Sequence, residues 1–167
     1  MIPAFSNPAS LGVAAPAQRH SILPLAVREA HDHRWILGQR LGYDVGPAAW
    51  QQWIQRYWKI FYRHRWVEHL RGQICWLEFP LHQFDLVNRE LRGIPGVEAV
   101  LQAVARGCEN LDLIWGTLPH LGSSIPAEAP AQRPDWSPAD LGRILEVIDM
   151  NAIRTELAPE LVVRELS

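Results

Sequence analysis

The chain has 167 residues, 48% of them hydrophobic and 20% charged, with a net charge of −2. Those proportions exclude a disordered chain, and the length suits one core, or one core with a tail. No run approaches the roughly 20 apolar residues of a membrane span, and two cysteines are too few for a disulfide framework or a zinc cage. The first residues lack the charged start and apolar run of a secretory signal, so a cytoplasmic protein is the expectation.

Residues 1–19 mix proline, alanine, serine and glycine without period and read as a flexible arm. A helical core over 20–115 follows. Ser21 is a candidate cap for a first helix that runs to about Leu41, with Pro24 in its opening turn and Gly42 ending it. Its apolar face holds Ile22, Leu25, Ala26, Ala30, Ile36 and Leu37 around His33, while His31 and Trp35 point away. The GYDVGP turn, Gly42 to Pro47, joins this helix to the next.

The second helix is the longest element, Pro47 to Arg71, with four of the eight tryptophans. Trp50, Trp53, Ile54, Tyr57, Ile60, Phe61, His64 and Val67 form one broad stripe, the expected core face. Trp58, Tyr62 and Trp66 form a second stripe, with His69 and Leu70 beside it and Lys59 and Arg63 on its flank. A helix apolar on two sides is usually buried on two sides. The alternative is an open docking face, because tryptophan, tyrosine and arginine carry much of the energy of interfaces.

Charge is unevenly spread. Residues 51–71 carry five bases against one acid, whereas residues 72–167 carry seven bases against fourteen acids. The basic stretch is either neutralised within the fold or attracts an acidic partner.

The run HDHRWILGQRLGYDVGPAAWQQWI, His31 to Ile54, resembles a pattern of small bacterial proteins of unknown function, cyanobacterial ones among them. The matching positions are His33, Trp35, Gly42, Asp44, Val45, Gly46, Ala49 and Trp53, and Gly38 stands where the pattern has a serine. The resemblance implies a helical pair and no activity.

Beyond Gly72, QICWLEF reads as helix or as an extended packed segment, since one strand without a partner is not stable. Pro80 opens an expected helix LHQFDLVNRELR, with Leu81, Phe84, Val87 and Leu91 on one face. A further helix spans Gly96 to Arg106, with Val97, Val100, Leu101 and Val104 inward, and residues 109–115 add a helical turn. Residues 116–136 are rich in proline, glycine, serine and alanine and read as a linker or loop. The C-terminal helical segment, 137–167, opens on a capping-box pattern, Ser137 to Asp140, and presents Leu141, Ile144, Leu145 and Ile148. The fold class expected is all-α, a bundle around the long aromatic helix.

Catalytic chemistry finds little support. No nucleophile elbow, glycine-rich phosphate loop or zinc spacing occurs, and the Glu-x-x-His pairs of a di-iron bundle are missing. Glu29–His33, His64–Glu68 and Glu78–His82 have the i, i+4 spacing of ligand pairs, but surface ion pairs share it. A His33–Asp44 pair at the helix turn is the candidate polar site, with Arg40 as a rival partner for Asp44. No catalytic, metal or cofactor residue is therefore assigned. The leading expectation is a non-enzymatic interaction module, an adaptor, assembly factor or subunit of a larger complex. It would bind another protein, an acidic one on the charge argument, through Trp58, Lys59, Tyr62, Arg63, Trp66 and His69. A tetrapyrrole or similar planar ligand among aromatics and histidines is the alternative. Nucleic acid, on Arg56, Lys59, Arg63 and Arg65 among tryptophans, ranks last because the overall charge is acidic and no binding motif occurs.

Overall fold

The computed structural model describes residues 18–117, 137–155 and 159–166. The reading of 1–17 as an arm and of 118–136 as a linker lies outside these residues. The fold is all-α: α1 (Leu23–Leu41), α2 (Ala48–Leu70), a 3-10 turn (Leu81–Gln83), α3 (Leu86–Glu90), α4 (Val97–Ala105), α5 (Asn110–Thr117), α6 (Pro138–Val147), α7 (Met150–Thr155) and α8 (Glu160–Leu166).

Helices α1 and α2 form an antiparallel hairpin. Gly42 ends α1 with φ of 78°, and its N–H donates to the Gly38 carbonyl at 2.9 Å, a left-handed cap that a side chain would strain. The start of α1 is held from far along the chain. The Glu78 carboxylate accepts from the Ile22 N–H and from the Ser21 hydroxyl, the latter at 2.5 Å, and Ser21 Oγ accepts from Leu23 N–H at 3.2 Å. An anion thus sits at the positive end of the helix.

Residues 73–79 are not helical: they pass from a bend at Gln73 through an isolated bridge at Trp76 to a turn at Leu77 and Glu78. His20 N–H donates to the Cys75 carbonyl at 2.9 Å and Leu77 N–H to the His20 carbonyl at 2.7 Å, a single parallel bridge across the start of α1. The helix expected over Leu81–Arg92 is broken, because Asp85 adopts φ of 60° between the 3-10 turn and α3. A tertiary contact forces the break. The Asp85 N–H donates to the His69 carbonyl, and its carboxylate packs so closely over Gly72 that a Cβ there would lie 2.4 Å from Oδ1. Leu86 is buried in place of Leu81, which is exposed.

The other short helices agree with the pattern. Val97, Val100, Leu101 and Val104 of α4 are buried, and the Ser137–Asp140 capping box is closed in both directions. Helix α2 packs on α1 and α4, α6 packs on α4 and α5, and α8 packs on α1. Leu141, Ile144, Ile148, Ile153 and Val162 belong to the same buried cluster as Trp53, Trp66 and Leu101.

Candidate interaction surface

Both apolar faces of α2 contribute to the core, as a helix apolar on two sides usually does, and the docking-face alternative for the second stripe falls. Trp58, Tyr62 and Trp66 are 5%, 3% and 1% exposed, so this stripe is core and not a docking face. Residues 76–84 cover it. Phe79 meets the Tyr62 ring edge-on at 4.9 Å, and Trp66 Nε1 donates to Gln83 Oε1 at 2.8 Å. Trp53, Trp58 and Phe61 close the cluster, with ring centroids 5.6 to 6.2 Å apart.

His69 is also buried. Trp76 N–H donates to its Nδ1 at 3.1 Å, which leaves the ring proton on Nε2, directed at the Pro80 carbonyl at 3.2 Å. Phe79 and Phe84 pack against the ring. Burial holds its pKa below the ordinary histidine value, because a charged imidazolium would lose its water; the Pro80 carbonyl opposes that shift. The ring is a neutral pin between the end of α2 and residues 76–80.

The flanking bases are both held by Glu109, Arg63 inside the fold and Lys59 at its surface. Arg63 is fully buried, donating to the Cys108 carbonyl at 2.6 Å and to Glu109 Oε1 at 2.9 Å, and Lys59 reaches the same oxygen at 2.5 Å. Glu109 therefore engages both cations and offsets one of their two charges. This clamp ties α2 to the start of α5, and a buried guanidinium needs such partners to be tolerated.

His33 and Asp44 do not pair. His33 Nε2 lies 3.1 Å from Gln52 Oε1, and its ring packs edge-on against Tyr57 at 5.4 Å. Asp44 binds Arg34 through both carboxylate oxygens and accepts from the Gly46 N–H at 2.9 Å. Both contacts favour its ionised form and hold its pKa far below the usual carboxylate range, the Arg34 contact most of all. Arg40 was the wrong cation: Arg34 projects towards the turn and also stacks over the Trp50 ring at 5.2 Å. The i, i+4 ligand pairs dissolve in the same way, with Glu78 at the start of α1 and Glu68 bonded to Arg65 and to Trp76 Nε1. Among the described residues no three histidine, cysteine or acidic side chains gather as a metal site.

What stays open lies on the distal half of the hairpin. Beyond Ala30 no residue of α1 is buried, and before Trp58 only Ala49 and Trp53 of α2 are. Trp35 is 67% exposed and Tyr43 63%, with Ile36, Leu41, Tyr57 and Ile60 also in water. Trp35 and Tyr43 flank a cleft of about 560 Å³ floored by Gly38 and Gly42. His31, Gln39 and the Arg34–Asp44 pair supply its polar lining. The sequence marked Trp35 as pointing away from the core but drew no site from it. The available signal was a tryptophan off the apolar face, eight residues before a tyrosine that follows a glycine. Opposite the cleft, a groove of about 410 Å³ runs between α1 and the exposed part of the expected core stripe, Tyr57, Ile60 and His64.

Among the described residues no helix is long and apolar enough to cross a membrane. Comparison with protein-family models, with curated proteins and with solved structures gives no match, so the resemblance carried by residues 31–54 gains no support from relatives.

Proposed function

We propose that the chain is a non-enzymatic interaction module that uses the tip of the α1–α2 hairpin to bind an apolar segment of another protein. One observation carries the reading: the two most exposed aromatic rings among the described residues, Trp35 and Tyr43, stand together over a glycine floor. Aromatic rings offer large apolar area at low entropic cost, and an aromatic-lined groove is a recurring seat for proline-bearing or aliphatic peptide segments. The polar rim, His31 and Gln39, can bond the peptide backbone. Arg34 is already held by Asp44 and orders the turn instead. The docking surface thus moves from the buried stripe of α2 to the other end of the hairpin.

Affinity capture with the full chain, wild type beside a Trp35→Ala, Tyr43→Ala double variant, tests this. Both side chains are largely in water, so the variant keeps its unfolding temperature while losing the partner. The loss of one hot-spot aromatic weakens binding by at least about 2 kcal/mol, roughly thirtyfold. Capture of the same proteins by both forms rejects the tip as the site.

A further inference from the structure

We infer that the groove on the opposite side of the hairpin is a self-association surface, taken by a second copy of this chain. Its floor is apolar, Trp53 and Phe61, and its crests carry the exposed Ile36, Tyr57 and Ile60. The walls carry opposite charge. On α1 stand Glu29 and Asp32, exposed and without an ion pair among the described residues. On α2, His64 lines the groove and Arg56 stands at its rim just outside the lining, one turn before Ile60; both are exposed and without an ion pair among the described residues, while on α1 the exposed Arg28 lies outside the lining, one turn before Asp32. Arg65, on the same wall, is engaged by Glu68, and Arg40 lies beyond the groove, one turn past Ile36.

The heights of these charges match. His33 packs on Tyr57 and the helices run antiparallel, so Asp32 stands within a turn of Arg56, while Glu29, one turn nearer the base, stands level with Phe61 and between Arg56 and His64. A twofold axis lying along the groove sets the acidic α1 wall of each copy against the basic α2 wall of the other and closes the apolar floors face to face. An axis across the groove sets acid on acid and base on base. The first arrangement is the self-complementary one, as an isologous dimer requires, and it makes a four-helix bundle with both tips at the same end. The inference does not depend on the tip reading, because the cleft between Trp35 and Tyr43 stays free in it.

Sedimentation equilibrium of the full chain over a wide concentration range is the test. The wild type runs at twice the chain mass and dissociates as salt rises. Glu29→Lys with Asp32→Lys in one variant, and Arg56→Glu in another, turn both contact sets repulsive, and each variant runs as a monomer that keeps the helical circular dichroism of the wild type. An equimolar mixture of the two returns to twice the chain mass, because in the mixed pair one contact set is native and the other is restored with its signs exchanged. A wild type that stays monomeric at every concentration overturns the inference. So do variants that remain dimeric, or a mixture that does not recover. Capture by the tip is read on the Trp35 and Tyr43 variant, so either reading can fail without the other.

Discussion

Trp66 and Trp35 are the same residue type in one hairpin, yet their exposures of 1% and 67% give them opposite consequences on truncation. Trp66→Ala leaves a cavity beside Tyr62 and strips Gln83 of its donor, and is expected to cost about 3–5 kcal/mol in chemical denaturation. Trp35→Ala is expected to stay within about 0.5 kcal/mol of wild type in the same assay. Equal losses would mean that the tip is as tightly packed as the base. His69 adds a dependence on pH. In the unfolded chain its ring takes a proton near the ordinary value of about 6.5, while in the fold burial pushes the pKa lower. Between those two values the unfolded state binds more protons. The contribution of the neutral ring is complete above about pH 6.5 and is lost as pH falls through the folded value. Thermal unfolding from about pH 7 to about pH 5 is expected to fall less steeply in His69→Gln than in wild type, and equal slopes would remove His69 as the cause.

At the level of the elements, the start of α1 depends on a carboxylate 56 residues away. Glu78→Gln keeps one acceptor for Ser21 or Ile22 and loses the charge, so a drop of about 0.3–1 kcal/mol is expected in denaturant unfolding. Glu78→Ala is expected to cost more, near the roughly 0.5–2 kcal/mol of a lost cap. No change in either variant would mean that Ser21 alone satisfies the helix start. This long-range cap was not legible in the sequence, whereas the local signals were: Gly42 after α1, the 3.6-residue stripe of α4 and the Ser137–Asp140 box all act within one turn of the chain. The break at Asp85 was hidden because its cause is Gly72, thirteen positions away, and an isolated LHQFDLVNRELR has a sound helical period. The candidate site follows the same division. The outward direction of Trp35 was legible from spacing. Whether the second stripe of α2 would be covered was not, because that depends on where residues 76–84 fold back.

Across the molecule, α2 is one uninterrupted helix of 23 residues, about 35 Å long, with very different surroundings at its two ends. From Trp58 to Leu70 it is wrapped by α1, α4 and the segment that brings Phe79 and Gln83 against it. From Ala48 to Tyr57 only Ala49 and Trp53 are buried, and Trp50 and Tyr57 meet His31 and His33 on the thinly covered half of α1. Unbroken backbone bonding does not make such a helix uniformly resistant to opening, because packing rather than helix propensity supplies most of its stability. Hydrogen exchange of the isolated chain is therefore expected to show a gradient within a single helix. Amides near Gln51 and, across the hairpin, near Gly38 lose protection through local fraying, while those near Trp66 and Leu70 exchange only when the whole molecule unfolds. Flat protection from one end of α2 to the other would contradict this. A graded helix couples a loose recognition end to a fixed base, so a ligand that stiffens the tip registers as slowed exchange at Gly38 before any change reaches Leu70.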